Sequence, residues 1–252
     1  MTKILDCTLR DGLHVRDFDD ECILAVLNAA ENAGLQYFEA GYKMPESIQF
    51  AKIKTVIMVD TKNIQPVSKK ADCVRVACYP HEIEKALEAV ENFHNQGFEV
   101  FLHLMTADKF DKYDILKNWK NKNILTSIYF ADSFGSFMPE DVERVYKKLE
   151  NCGFDKISFH AHDNLHLAFT NTIKAIELGA YSVDATVFGI GRGGGNLSLE
   201  ILLKYFGKDY HLYLDLIKKY FLNDEQKFEA RVGGLENVHP LKVKQLYDGI
   251  YF

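Results

Sequence analysis

The chain has 252 residues, of which 47% are hydrophobic, and its formal net charge at neutral pH is -6. This length can bury a substantial core, and the high apolar content excludes a largely disordered chain. Lysine and arginine are interspersed with aspartate and glutamate instead of gathering on one face, so nucleic acid and anionic membranes are poor candidate partners.

Eight short runs rich in β-branched and aromatic residues are predicted to form strands. In chain order they cover residues 3–7, 36–40, 54–59, 73–77, 99–104, 125–130, 156–159 and 182–188. Helical patterns separate each run from the next.

Helices are predicted between the strands, where apolar residues recur at a spacing that builds one buried face. The first such face is Ile23, Val26, Leu27 and Ala30. Further helices are predicted near 82–96 and from Pro139 onward, where proline suits the first helical turn. The shortest predicted helix covers 64–70.

The alternation of strands and helices predicts parallel strands joined by right-handed crossovers. Eight units in a little over 200 residues favour a closed (β/α)8 TIM barrel, and an open doubly wound sheet is the alternative. The stretch GIGRGGGN, residues 189–196, could suggest a dinucleotide-binding loop. It follows the last strand of the series and lacks an acidic residue at the usual distance, which argues against that reading.

The barrel is predicted to occupy residues 1–205, followed by an aromatic-rich helical extension over 206–252. We expect this extension to pack on the barrel or on a second subunit, which would make the protein a homo-oligomer. A lid over the active face is the other interpretation.

The five cysteines show no C-x-x-C pairing and are odd in number, as is typical of free thiols in a reducing compartment. The N-terminal residues lack the apolar core of a secretory signal, and no run is long enough to span a membrane. These features predict a cytoplasmic protein.

Polar residues gather where the predicted strands end, which is the active face of a barrel of this type. The most informative are His160 and His162, because residues at i and i+2 of a strand project to the same side. Two neutral histidines in a core are the alternative reading. Closing the barrel would bring Asp11 from the first strand toward this pair.

Two imidazoles and a carboxylate suit a divalent ion such as Mn²⁺, Mg²⁺, Co²⁺ or Zn²⁺. No thiol belongs to this predicted set, which argues against a structural zinc site. His103 and His166 are interpreted as structural or surface residues.

Arg10 lies beside Asp11 and could form an ordinary surface ion pair. At the rim of an apolar barrel, however, a guanidinium needs a partner, and Glu39 or Asp11 could supply one. His14 could be merely exposed. It could also act as a base near the metal, because Gly12 would let the loop after the first strand bend. Glu39 could also cap the next helix.

Five motifs, in order, resemble the metal-dependent barrel lyases that include 3-hydroxy-3-methylglutaryl-CoA lyase, isopropylmalate synthase and 4-hydroxy-2-oxovalerate aldolase. They are TLRDG (8–12), FEAGY (38–42), ADSFG (131–135), HAHDN (160–164) and GGGNLSLE (193–200). The similarity covers about the first 205 residues. The aldolase branch looks closest, because it also has a histidine just after TLRDG and a strand similar to VRVA (74–77).

The resemblance implies a role for each matched residue. The metal ligands would be Asp11, His160 and His162, with Asn196 as a further one. Arg10 would face the oxyanion and His14 would be the base. The substrate pocket would be lined by Arg75, Asp132 and Ser133.

The implied reaction is aldol cleavage or formation of a 4-hydroxy-2-oxo acid through a pyruvate-type enolate. A 2-oxo acid can chelate a divalent ion, and Mn²⁺ is the expected one. The ion and Arg10 would bind the developing negative charge more tightly than the ground-state carbonyl.

Two features depart from the family pattern. The longer aldolases have a further C-terminal domain with an acid-base tyrosine, and here Tyr205, Tyr210 or Tyr213 would have to replace it. The lyases that act on CoA thioesters have a cysteine in the glycine loop, which this chain lacks. A Claisen-type condensing enzyme and a non-catalytic binding or assembly barrel remain the alternative functions.

Overall fold

The computed structural model describes residues 1–49, 51–222, 224–239 and 242–243. Eight strands lie in this part of the chain. They are β1 (Lys3–Asp6), β2 (Tyr37–Gly41), β3 (Lys54–Asp60), β4 (Cys73–Cys78), β5 (Glu99–Leu104), β6 (Leu125–Asp132), β7 (Ile157–Ala161) and β8 (Ser182–Ala185).

The strands form a closed parallel barrel in which each strand pairs with the next in sequence. The ring closes between β1 and β8, where Leu5 is opposite Asp184. The predicted (β/α)8 TIM barrel is confirmed, and the open sheet is excluded.

Helices cover the outside of the barrel and continue into the C-terminal segment. They are α1 (Thr8–Gly12), α2 (Asp20–Asn32), α3 (Ile83–Asn95), α4 (Tyr113–Asn118), α5 (Pro139–Asn151), α6 (Ala168–Glu177), α7 (Leu199–Tyr205), α8 (His211–Leu216) and α9 (Glu225–Glu236). The helix predicted from Ile23, Val26, Leu27 and Ala30 is α2, and Asp19 caps it by accepting the N–H of Cys22.

The prediction of a helix at 64–70 is wrong. A single 3₁₀ turn, Thr61–Asn63, follows β3, and the residues from Ile64 to β4 have no helical structure. Pro66 explains the difference, because proline lacks a backbone N–H and pushes the residue before it toward an extended conformation.

The barrel interior changes from apolar to polar along the strands. Its lower layer is an apolar cluster made by Leu5, Cys7, Tyr37, Val56, Cys73, Phe101 and Tyr129. Two residues further along β2, β4 and β5 come Glu39, Arg75 and His103, which are also buried. Residues at i and i+2 of a strand face the same side, so the polar groups form a layer at the C-terminal end of the barrel.

The C-terminal segment packs on the barrel. Tyr213 in α8 is fully buried in the main core, and its hydroxyl donates to the Asp6 carboxylate at 3.3 Å. Self-association through this segment stays a prediction, and 244–252 lie outside the described residues. Among the helices described, none combines the length and apolarity that crossing a membrane requires.

Candidate active site

The residues after β1 form the short helix α1 and not the flexible loop that the glycine suggested. Asp6 anchors its start by accepting the backbone N–H of Thr8 at 2.9 Å. Gly12 serves close packing, because a Cβ there would lie 2.4 Å from the ring of Phe18. This compact turn presents Arg10 and Asp11, both buried, to the end of the barrel.

Arg10 belongs to a buried ion-pair network. Its Nε donates to Glu39 Oε2 at 2.7 Å, and its Nη1 donates to Asp11 Oδ1. Burial raises the pKa of Glu39, but the guanidiniums of Arg75 and Arg10 outweigh this effect and leave the pKa below its usual value. Glu39 therefore holds its charge at the end of β2 and orients Arg10; it does not cap a helix.

Arg75 lies inside the barrel and is fully buried. Its Nε donates to Glu39 Oε1 at 2.7 Å, and its Nη1 donates to Asp184 Oδ2 at 2.5 Å. Both sides of this guanidinium are thus taken by carboxylates. Direct contact between Arg75 and a substrate stays a prediction.

Asp11 and His160 meet across the barrel. His160 Nε2 lies 3.6 Å from Asp11 Oδ2, and neither atom has a hydrogen-bond partner among the described residues. The other ring nitrogen, Nδ1, lies 2.9 Å from Asp184 Oδ2. Burial lowers the pKa of His160 well below its usual value, so the ring is neutral, with Nδ1 as donor and the lone pair on Nε2.

His162 and Asn196 lie next to this pair. The His162 ring centroid is 5.0 Å from that of His160, and its Nδ1 donates to the backbone oxygen of Asp132 at 3.0 Å. Asn196 forms an antiparallel bridge with His162. Its Nδ2 donates to the backbone oxygen of Ile190 at 2.8 Å, which leaves Oδ1 buried without a partner.

A thiol also lies at this site, contrary to the expectation from sequence. Ligand atoms of Cys7, Asp11 and His160 lie within 4.8 Å of one another. Cys7 is the last inward-facing residue before α1, a position that the strand alternation alone does not relate to His160. Burial first, and then the charge of Asp11, raise the pKa of this thiol well above its usual value.

The donor set fits a divalent cation. Asp11 Oδ2, His160 Nε2 and Asn196 Oδ1 are all buried and unpartnered, which is costly unless a ligand completes them. The local charges agree with this, since two guanidiniums, of Arg10 and Arg75, face the three carboxylates of Asp11, Glu39 and Asp184. A cation would offset the excess negative charge.

His14 lies at the rim, where it is exposed, and its ring centroid is 6.4 Å from that of Tyr42. Partial burial and then the charge of Arg192 lower its pKa, so its neutral form is favoured at neutral pH. Tyr42 and Arg192 are rim residues that the sequence argument did not select. Tyr42 completes the FEAGY motif, and Arg192 lies within the glycine loop.

Asp132 and Ser133 support the loop after β6. The Asp132 carboxylate accepts the N–H groups of Ser136 and Phe137 at 2.9 and 3.0 Å. Ser133 Oγ accepts the N–H of Thr106 at 2.8 Å. Their contact with a substrate stays a prediction.

His103 and Asp184 also lie in the polar layer next to His160, and neither was among the predicted site residues. His103 is buried, with its ring centroid 5.6 Å from that of His160 and its Nδ1 unpartnered. A single polar residue at an inward position of an apolar strand is the signal that could have identified both. His166, in contrast, is exposed, as expected.

The three tail tyrosines do not contact the predicted site residues. Tyr213 is bound to Asp6, and Tyr210 donates to Glu236 at 2.9 Å. Tyr205 is about half exposed and packs edge-on against Phe169. The tyrosine whose ring lies against His14 is Tyr42.

The HMGL-like family model matches residues 80–209 of the chain. An oxaloacetate decarboxylase from Mycobacterium tuberculosis is 27% identical over 83% of this chain and 71% of its own length. A 4-hydroxy-2-oxovalerate aldolase from Bacillus cereus is 27% identical over 86% of this chain and 73% of its own length. The crystal structure of the N-terminal domain of a putative aldolase from Bacteroides vulgatus superposes with a TM-score of 0.76 at 27% identity, covering 97% of this chain and 96% of that one.

Proposed function

The chain belongs to the HMGL-like family and is a carbon–carbon lyase, and we propose that it is a divalent-metal-dependent aldolase acting on a 4-hydroxy-2-oxo acid. One observation carries the proposal. The unpaired ligand atoms of Asp11 and His160 lie 3.6 Å apart, and Asp11 is paired with Arg10, whose Nη2 is also buried without a partner. Asn196 Oδ1 is a further buried atom without a partner. Unpaired metal-ligand atoms together with an unpaired guanidinium donor suit a substrate with adjacent carboxylate and keto oxygens.

Asp11, His160, His162 and Asn196 would hold the metal. The ion would polarise the keto oxygen and stabilise negative charge there while the carbon–carbon bond two atoms away breaks. Mn²⁺ is the proposed ion, and Mg²⁺, Co²⁺ or Zn²⁺ would also suit nitrogen and oxygen ligands.

Arg10 supplies a fixed positive charge to the reacting oxygen. Glu39 and Asp11 already hold its Nε and Nη1, so the guanidinium is oriented before substrate binds. Its free Nη2 is available to donate to the oxyanion. Donors preorganised for a developing charge lower the barrier because they need no rearrangement during the reaction.

His14 accepts the proton of the 4-hydroxyl group as the aldehyde forms. Its lowered pKa keeps it neutral, and its place at the rim leaves it accessible to a bound substrate. In the reverse direction the protonated ring returns the proton to the new alkoxide.

Decarboxylation of oxaloacetate is the second candidate activity. It is favoured by the similarity to the oxaloacetate decarboxylase, and it breaks a carbon–carbon bond at the same distance from the keto oxygen. Claisen condensation with an acyl-CoA is the third, and release of free thiol from acyl-CoA in the presence of 2-oxo acids would identify it.

The experiment that tests the proposed activity combines metal analysis with a screen for pyruvate release from a panel of 4-hydroxy-2-oxo acids and oxaloacetate. We expect about one divalent ion per chain and release of pyruvate with an aldehyde. His160→Ala should lose both the ion and activity, whereas His94→Ala, at an exposed position in α3, should retain both. Full metal occupancy in His160→Ala would contradict the proposed site, and pyruvate with carbon dioxide as the sole products would favour the decarboxylase.

A further inference from the structure

A cavity lies between the glycine loop and the C-terminal segment. It has a volume of about 380 Å³. Its walls are the loop residues 188–191 and 193–195, Val15 and Arg16 after α1, and Tyr220 to Leu222 with Lys227 from the C-terminal segment. None of the proposed metal ligands lines it.

The charge of this cavity is positive. Arg16 and Lys227 line it. Among the described residues, no carboxylate lines it and none forms an ion pair with either cation. The nearby Asp224 does not neutralise Lys227. Its carboxylate caps the start of α9 by accepting the backbone N–H of Lys227 at 3.0 Å. Two unneutralised cations in one concave site attract an anion.

The two cations are held in place by aromatic rings and backbone. The Arg16 guanidinium carbon lies 5.2 Å from the centroid of Phe18, and its Nη1 donates to the backbone oxygen of Tyr220. Lys227 Nζ lies 4.8 Å from the centroid of Phe188. The ammonium group of Lys227 and the remaining Nη2 of Arg16 have no hydrogen-bond acceptor within the described ranges.

The glycine loop adds backbone donors to the same cavity. Gly191 and Gly193 line it, and the N–H of neither has an acceptor in the part of the chain that the structure describes. The neighbouring amides are satisfied, since Gly194 donates to Asn164 Oδ1 and Gly195 to the backbone oxygen of Arg192. The residues that line this cavity therefore include two cations and two backbone N–H groups without an acceptor among the described residues.

We propose that this cavity binds the phosphate group of a small organic molecule. Two cations and two free amides match a doubly charged group with several acceptor oxygens better than a single carboxylate. Phosphate sites on barrels of this kind are often built from the loops after the seventh and eighth strands, and this loop follows β8. Phe188, Tyr220 and Phe221 would contact the organic part of the ligand.

Isothermal titration calorimetry of metal-free protein with inorganic phosphate tests the site without turnover. Wild-type protein should bind one phosphate per chain, and Lys227→Glu and Arg16→Gln should each weaken binding by about tenfold or more. Lys85→Glu, the same charge change at an exposed position in α3, should bind as wild type does. Circular dichroism would verify that all variants are folded.

Three results would overturn the proposal. They are the absence of phosphate binding, equal affinity in Lys227→Glu and wild type, and equal affinity of wild type for malonate, a dianion with carboxylates only. Because no activity is measured, a failed aldolase assay leaves this result standing.

The phosphate group could belong to the substrate or to a separate ligand. Binding of a phosphorylated 2-oxo acid to wild type and to His160→Ala distinguishes the two. If the group belongs to the substrate, the phosphorylated 2-oxo acid should bind metal-loaded protein more tightly than phosphate does, and this gain should vanish in His160→Ala. If it belongs to a separate ligand, affinity should be independent of His160.

Discussion

At the residue scale, the site depends on how buried charges are paired. Glu39 takes donors from both Arg10 and Arg75, and Asp184 links Arg75 to His160. Removing a charge from water is expensive unless partners replace the lost hydration. Within this network the buried atoms without a partner are Arg10 Nη2, Asp11 Oδ2, His160 Nε2 and Asp184 Oδ1. Binding of the metal and substrate would recover the cost at the first three.

Asp184→Asn should weaken metal binding. The Asp184 carboxylate holds the proton-bearing Nδ1 side of His160, and loss of such an orienting carboxylate lowers metal affinity by roughly 10–100-fold. Competition titration with a metal indicator would measure the change. Asp155→Asn, at an exposed position, should leave affinity unchanged; equal affinities in the two variants would show that Asp184 does not position the ligand.

Asp6 should make stability depend on pH. Burial raises its pKa from the usual 3.8 to about 6, although hydrogen bonds from Thr8 and Tyr213 oppose this. Because the folded state then holds the proton more tightly than the unfolded state, this contribution to stability is complete below about pH 4 and is lost as pH rises through 6. At 1.36 kcal/mol per pKa unit the loss is about 3 kcal/mol.

Urea unfolding of wild type and Asp6→Asn between pH 4 and 7 would test this. The free energy of unfolding of wild type should fall relative to that of the variant over this range. A difference between the two proteins that stays constant with pH would contradict the assignment.

At the element scale, the glycine loop after β8 is shaped by close contacts. A Cβ at Gly194 would lie 2.8 Å from the backbone of Asn164, and one at Gly195 would lie 2.1 Å from the backbone oxygen of Gly189. The glycines thus allow the loop to fold against β7 and against itself. This packing brings Asn196 beside His162.

Gly191→Ala should disturb the site with little effect on folding. The new Cβ would lie 2.2 Å from Asn196 Nδ2, and the flexible amide can move away. Because this displaces Oδ1 as well, we expect metal affinity to fall by about tenfold. Gly234→Ala in α9, where no atom lies within 4 Å of the added Cβ, should keep full affinity and gain roughly 0.5–1 kcal/mol of stability. Unchanged affinity in Gly191→Ala would argue that Asn196 is not a ligand.

At the scale of the whole molecule, the proposed metal site joins the two ends of the barrel sequence. Asp11 follows β1, His160 is in β7, and Asn196 follows β8. The register between β1 and β8 closes the barrel next to these residues. Because the proposed ligands come together only when the barrel is closed, the metal ion should bind the folded chain and not the unfolded one.

Mn²⁺ should therefore raise the melting temperature. At a concentration one hundred times the dissociation constant the gain is about 2.7 kcal/mol, which corresponds to roughly 5–10 °C for a chain of this size. Differential scanning calorimetry with Mn²⁺ and with a chelator would measure it. His160→Ala should show no such shift, and a shift of equal size in that variant would place the ion elsewhere.

The amino-acid pattern was sufficient to predict the eight strands and most of the helices, whereas the ligand set drawn from it stays a prediction. Strand alternation and helical spacing are local properties that can be counted along a chain. The order of strands and helices then restricted the topology to a few possibilities. Local pattern failed at 64–70, where Pro66 prevented a helix, and at 8–12, where a short helix replaced the expected loop.

Which buried groups meet depends on the closure of the barrel. Arg75 pairs with Asp184, 109 residues away, and Cys7 donates to the backbone oxygen of Ala185, 178 residues away. Such partners follow from the register and stagger of a closed barrel, to which every strand contributes at once. For this reason Asp184, His103 and the thiol of Cys7 could be placed beside His160 only after the ring was closed.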